Sequence, residues 1–261
     1  MGKSAWIESP DVRSTRTHET SVWIAAPVEE VWRALTEPAE MERWFAPSIT
    51  VEPGPGGFVL ADWAPGLAWR TSIEIWDSGS QLRLAETRDR VMTSAPVDLP
   101  LTPCVLVQDY TLEAGDGGTR LRLLHSGFGA SPDWDSEYYG TLGGWASCFL
   151  RLKHGLERRR GESVRNIILT AQCPGVSISR ALEMLEAEIP RPFRMQLCAH
   201  SHIHGYRPEW NDSCLTLSVQ ATTTGAVAYV EMLLYSLPAG TAEQIQENWR
   251  AALARLFPTP S

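Results

Sequence analysis

The apolar positions repeat with two different periods along the chain. From Glu19, Val22, Ile24 and Ala26 alternate with Ser21, Trp23 and Ala25, a period of two that predicts a strand with Trp23 on its second face. Residues 1–17 ahead of it are polar and predict a frayed arm. Pro27 suits a first helical position, and Glu29 and Glu30 complement the positive end of the helix dipole. Val28, Val31, Trp32 and Leu35 then form one helical stripe, and Met41, Trp44 and Phe45 form a second, short one after Pro38.

From Ile49 to His125 the pattern returns to strands separated by turn residues. Phe58 to Trp63 follows the turn Pro53-Gly54-Pro55-Gly56-Gly57, and Trp69, Thr71, Ile73 and Ile75 are expected on one face of the next strand. Leu106, Gln108, Tyr110 and Leu112 oppose Val105, Val107, Asp109 and Thr111, and Gly115-Asp116-Gly117-Gly118 marks a hairpin. The connection from Thr87 to Cys104 is long enough to be read as a lid or binding loop. After Ser131, placed to cap, and Pro132, the positions Tyr138, Leu142, Trp145, Phe149, Leu152 and Leu156 follow at alternating steps of four and three, the clearest helix in the chain. Arg158-Arg159-Arg160-Gly161 supplies its stop.

A second part follows. Val164 to Ala171 predicts a strand, Ile178, Leu182, Leu185 and Ile189 a helix after Ser177, and Met195 to Ile203 and Leu215 to Leu237 further strands. Thr241 with Gln244 reads as a capping box opening a last helix that carries Ile245, Trp249, Leu253 and Leu256. The expected domains are therefore 18–161 and 162–261, the second either a degenerate half-copy of the first or an unrelated α+β module. It would cap a sheet edge, form a homodimer contact or carry its own pocket.

The 261 residues carry 31 acidic and 23 basic side chains, a net charge of −8 that would repel a phosphate backbone, so nucleic acid is not an expected partner. The most apolar stretch, Ala226 to Leu237, contains Glu231 and falls short of a membrane span. No signal peptide is read in Met1 to Thr20, and five widely spaced cysteines without a C-x-x-C fit reduced thiols in a cytoplasm. Eleven Trp against six Phe and six Tyr is an excess that suits either a large apolar cavity or a Trp-rich core.

Candidate chemistry is sparse. No G-x-S-x-G surrounds a serine and no phosphate loop occurs, so no catalytic residue is assigned and a binding protein is favoured over an enzyme. Cys198, His200, His202 and His204 alternate along one predicted strand; a solvent-facing histidine strand is the simpler reading, with His200 and His202 as weak metal candidates needing a third ligand such as Cys214 or Glu231. No cofactor is expected.

The segment Ile24-Ala25-Ala26-Pro27-Val28-Glu29-Glu30-Val31-Trp32-Arg33-Ala34-Leu35-Thr36, then Trp44-Phe45, Gly56-Gly57, Leu123-Leu124-His125-Ser126-Gly127-Phe128 and Gly144-Trp145 resemble, in that order, the START-like (SRPBCC) superfamily. The nearest branch resembles the C-terminal domain of the activator of the 90-kDa heat-shock protein ATPase and its bacterial relatives. The resemblance covers about 18 to 160. It implies an α+β helix-grip fold, a curved antiparallel sheet around a long C-terminal helix, followed here by a smaller α+β unit. It also implies an apolar cavity between sheet and helix.

The cavity candidates are Trp44, Phe58, Trp63, Trp69, Ile73, Tyr110, Tyr138, Trp145 and Phe149. A small hydrophobic or amphipathic ligand is the expected partner. The alternatives are a protein-interaction module whose partner is a chaperone or another protein, and a polyketide cyclase- or aromatase-like enzyme. The latter would use His125, Asp109, Tyr110 and Arg70 inside the cavity.

Overall fold

The computed structural model describes residues 15–64, 67–88, 104–199, 201–222 and 225–258. The first part runs β1 (Thr15–Ile24), α1 (Val28–Thr36), α2 (Pro38–Met41), β2 (Ser48–Glu52), β3 (Phe58–Ala64), β4 (Leu67–Asp77), β5 (Gln81–Arg88), β6 (Cys104–Gly115), β7 (Gly118–Gly129) and α3 (Asp135–Arg158). Its strands form one seven-stranded sheet in the order β1-β7-β6-β5-β4-β3-β2, and every neighbouring pair is antiparallel. The β6–β7 hairpin turns through Asp116 and Gly117, both at positive φ, as its Asp-Gly pair favours. The proposed lid between Thr87 and Cys104 lies almost wholly in 89–103, outside the described residues, as do residues 1–14 of the expected frayed arm, whereas its last residues, 15–17, are not frayed but pair with β7 as the start of β1.

The second part runs β8 (Val164–Pro174), α4 (Ile178–Ala187), β9 (Arg194–Ala199), β10 (His202–Arg207), β11 (Ser213–Thr222), β12 (Gly225–Tyr235) and α5 (Thr241–Leu256), with a five-stranded antiparallel sheet ordered β8-β12-β11-β10-β9. Both sheets place their first strand beside their last and then run back through the sequence.

The helix α3 sits between the two sheets. Trp145, Phe149 and Leu152 on one side join the core that α1, α2 and the seven-stranded sheet build. On the other side Gly143 meets His202 of β10, the Tyr206 hydroxyl donates to the Leu150 carbonyl at 3.5 Å, and the His154 and Tyr206 rings stack at 4.3 Å. The second sheet is covered on both faces: Leu215, Leu217, Val219 and Val230 pack with Leu185 of α4 and Trp249 of α5, while the alternate residues face α3.

Several local expectations change. The histidine run is not one strand but a hairpin, with Ile203 paired to Cys198 and His204 to Leu197, and His200 lies outside the described residues. His202 and His204 are buried against α3 and face no solvent, because the second sheet uses its polar face as an internal surface. A bulge between Ile73 and Ile75 breaks the alternation of β4, so that Trp76, not Ile75, turns its ring toward Trp32 at 5.4 Å. Ser131 makes no side-chain cap, and a 3-10 turn over Pro132–Trp134 precedes α3. The helix α5 starts after Gly240 in a left-handed conformation; Gln244 donates to Asn248 in place of a capping box with Thr241.

Candidate functional site

Aromatic rings occupy most of the space beneath α3. Phe45, which follows α2, stacks on Trp145 at 5.5 Å, meets Trp63 edge-on at 4.7 Å and lies 5.2 Å from Trp44. Tyr110 completes the row, 5.8 Å from Trp145. Between α2, these rings and the seven-stranded sheet lies a void of about 30 Å3 lined by Trp44, Phe45, Trp69 and Tyr110. That is about one water's share of liquid volume, too little for an organic guest.

A roomier space than this void opens beside Trp145. A cleft of about 90 Å3 has Phe45, Trp63 and Trp69 on one wall, Gly140, Thr141, Gly144, Trp145, Ser147 and Arg151 along α3, and His202, Ser218, Gln220, Tyr229 and Glu231 of the second sheet opposite. A neighbouring groove of about 90 Å3 shares Trp69, Gly140, Thr141, Gln220 and Tyr229 with it. The aromatic wall follows from alternation: Trp63 continues the inward row of Val59 and Ala61, and Trp69 is the cross-strand partner of Ala61.

Charge collects at the floor. Arg151, with 2% of its side chain exposed, donates to Glu231 at 2.6 Å and to the Cys148 sulfur at 2.9 Å. Burial works against the Arg151 charge, but Cys148 and Glu231 together leave the guanidinium more firmly protonated than in water. Burial pushes the Cys148 thiol up and away from the reactive thiolate. Deeper in the seam, His204 shares a hydrogen bond of 2.8 Å with Thr216, and burial, then Arg151 and His154, lower its pKa to about 3.

A second polar cluster lies beneath α3 toward β1. The Trp145 indole donates to Nδ1 of His125 at 3.1 Å, which leaves that nitrogen unprotonated. His18 lies 5.2 Å from the His125 ring, shares a 3.0 Å hydrogen bond with Thr141, and is lowered to about 4 by burial.

The nine cavity candidates separate. Trp63, Trp69 and Trp145 line the cleft, whereas Trp44 and Tyr110 line the small void that Trp69 also touches. Ile73 and Phe149 are buried core residues, and Tyr138 packs with Phe128 near β1, its hydroxyl donating to the Thr17 carbonyl. Phe58 is on the outer face of the sheet, one residue out of phase with Val59, with the Arg70 guanidinium 3.9 Å above its ring. Of the cyclase-type candidates, His125 and Tyr110 are inside, but Arg70 is outside and Asp109 pairs with Arg83 at 2.5 Å. They do not converge on one point.

Phe45 was readable as part of a stripe, though not as the centre of the ring cluster; His202 and Glu231 were legible only as weak metal candidates, and Arg151 and Tyr229 carried no motif at all. Among the described residues no group of three or more His, Cys, Asp or Glu is placed to hold a metal ion; Glu231, a candidate third ligand, is engaged by Arg151.

The model of activator of Hsp90 ATPase homolog 1-like proteins matches residues 25–157, just over half of the 261-residue chain. The chain belongs to that family. The match begins at Ala25, just after β1, and ends in the last turn of α3, the part whose motifs resembled the family; there the chain folds as an antiparallel sheet closed by a long helix.

Among solved structures, a Mesorhizobium loti protein is 27% identical over 56% of this chain and 99% of its own, with a TM-score of 0.46. The Aha1 dimer from Colwellia psychrerythraea is 18% identical over 56% and 99%, with a TM-score of 0.45. DynU16, a protein in the dynemicin biosynthetic locus, is 19% identical over 91% of this chain and 96% of its own, with a TM-score of 0.44. No curated protein matches significantly. No helix among the described residues is long and apolar enough to cross a membrane.

Proposed function

We propose that this family member binds a small amphipathic molecule in the cleft between α3, the β3–β4 end of the first sheet and the second sheet. The observation that carries this reading is the opposition of an aromatic wall, Phe45, Trp63, Trp69 and Trp145, to a buried charged floor, Arg151 with Glu231. A buried ion pair is a poor stabilising device, since an apolar replacement of equal volume is often neutral or better. Its place at the bottom of a cleft therefore supports recognition of a polar group. The cleft and its neighbouring groove, each about 90 Å3, share five lining residues, and only a ligand that runs through both has more room than the ~150 Å3 void that accepts benzene, so the ligand is an elongated one of one or two rings.

On this reading residues 18–161 form the gripping domain and 162–261 a second domain that supplies the polar wall. The shared strand winding supports reading the second domain as a reduced copy. Native mass spectrometry after mild purification should show a co-purified small molecule. Titration with 2-naphthol, a neutral two-ring probe, should quench tryptophan fluorescence saturably, and Trp69→Leu should weaken it about tenfold. A chain that carries no added mass and gives no saturable quenching, or quenching indifferent to Trp69→Leu, would remove this function.

A further inference from the structure

We propose a second small-molecule site at the other end of α3, suited to a ring-sized monocarboxylic acid that bears a hydrogen-bond acceptor opposite its carboxylate. A pocket of about 150 Å3 lies between α1, α2, the last turns of α3 and Tyr235 of β12. It shares no lining residue with the cleft. Leu156 is about 22 Å along the helix axis from Thr141 of that cleft. Its volume is close to the ~150 Å3 that holds a benzene ring in a wholly apolar cavity, but here charged side chains stand at the mouth.

The chemistry of the walls defines the guest. Trp44, Leu152 and Leu156 form the apolar side, and the Trp44 indole N–H already donates to the Ala34 carbonyl at 2.8 Å, so that ring asks nothing polar of a ligand. Tyr235 is 0% exposed, and its hydroxyl has no hydrogen-bond partner in the structure. That hydroxyl stands against Gly155 in the pocket wall, 3.7 Å from where a Cβ would sit. A buried donor left unpaired is rare in native proteins and calls for an acceptor.

At the mouth the charges nearly cancel. Arg160 pairs with Glu30 at 2.7 Å, and Arg43 pairs with Glu40 at 3.5 Å while also donating to the carbonyls of Arg159 and Glu162. Arg33 also lines the mouth, and among the described residues no carboxylate pairs with it. One uncompensated cation outside, an apolar slot between, and one unanswered hydroxyl inside match a single anion, a ring and a single acceptor in that order. Water would answer the hydroxyl but leave the apolar slot and the cation unused.

Isothermal titration calorimetry on the full chain with 4-hydroxybenzoate tests this. Saturable binding is expected, stronger than for benzoate, which lacks the distal oxygen. Arg33→Gln should weaken binding about tenfold, and Tyr235→Phe should do the same and erase the preference over benzoate. Tyr235→Phe should fold at least as stably as the parent, since it deletes an unpaired group. Trp69→Leu, which alters the cleft, its groove and the small void but no lining residue of this pocket, should leave the isotherm unchanged. No saturable heat, indifference to Arg33→Gln or to Tyr235→Phe, or sensitivity to Trp69→Leu would each overturn the site; the last would assign the probe to the cleft. Loss of 2-naphthol quenching alone bears on the cleft and not on this pocket.

Discussion

Arg151 keeps a full charge where water hardly reaches it, held by one carboxylate on β12 and one sulfur a turn away on its own helix. Removing a charge from water costs several kcal/mol, which the pair recovers only while both members are present. Arg151→Met should therefore destabilise by about 3–5 kcal/mol, because Glu231, 13% exposed, is left without its cation. Arg151→Met with Glu231→Leu should regain most of that loss in urea unfolding, since an apolar pair of similar volume suits the site. The double variant should nevertheless fail to bind 2-naphthol as the parent does. A double variant as unstable as the single one would show that the pair is a structural requirement, and full binding by it would separate the floor from recognition.

At the scale of elements, α3 explains both what could be read from the sequence and what could not. The large side chains of one face, Trp145, Phe149 and Leu152, repeat at helical spacing, and their contact with the first sheet was legible from that period alone. The opposite face is Gly140, Gly143, Gly144 and Ser147, and small residues fit solvent as well as they fit a close neighbour, so nothing in the pattern distinguishes them. The same ambiguity hid His202 and His204, whose alternation suited an exposed strand until the hairpin and the packing of β10 on α3 fixed their direction. Gly143 reports on this contact with a reversed sign. In an isolated helix Gly→Ala is favourable by about 1 kcal/mol. Here the added Cβ would stand 2.5 Å from Nδ1 of His202, a buried ring with little freedom to withdraw. Gly143→Ala should destabilise by about 1–3 kcal/mol, and His202→Ala in the same chain should return the ordinary helix-favouring effect. Equal effects of Gly143→Ala with and without His202 in a double-mutant cycle would mean that the helix and β10 do not meet there.

Over the whole molecule, the first sheet, α3 and the second sheet are stacked so that each depends on the helix between them, and the seam is where titrating groups have been buried neutral. Burial lowers His18 to about 4, and burial with the Arg159 charge lowers His154 to about 4, while His204 falls to about 3. Each begins from an ordinary value of 6.5 in the open chain. Between those limits the unfolded chain binds protons that the folded chain refuses, so stability rises with pH there. It should be level above about pH 6.5 and fall continuously toward pH 4. Carboxylates begin to contribute only below about pH 5, which leaves pH 5 to 6.5 as the histidine window. Because His204 and His154 lie between α3 and the second sheet and His18 beneath the same helix in the first, the loss should appear as one transition. Far-ultraviolet circular dichroism and tryptophan fluorescence should then give coincident melting curves whose midpoint drops from pH 6.5 to 5. His204→Gln should flatten that slope by removing one of the three protons. A midpoint unchanged across the window would mean that these rings titrate freely in the folded chain. Two separated transitions, with the second sheet leaving first, would mean that the seam around α3 does not couple the halves.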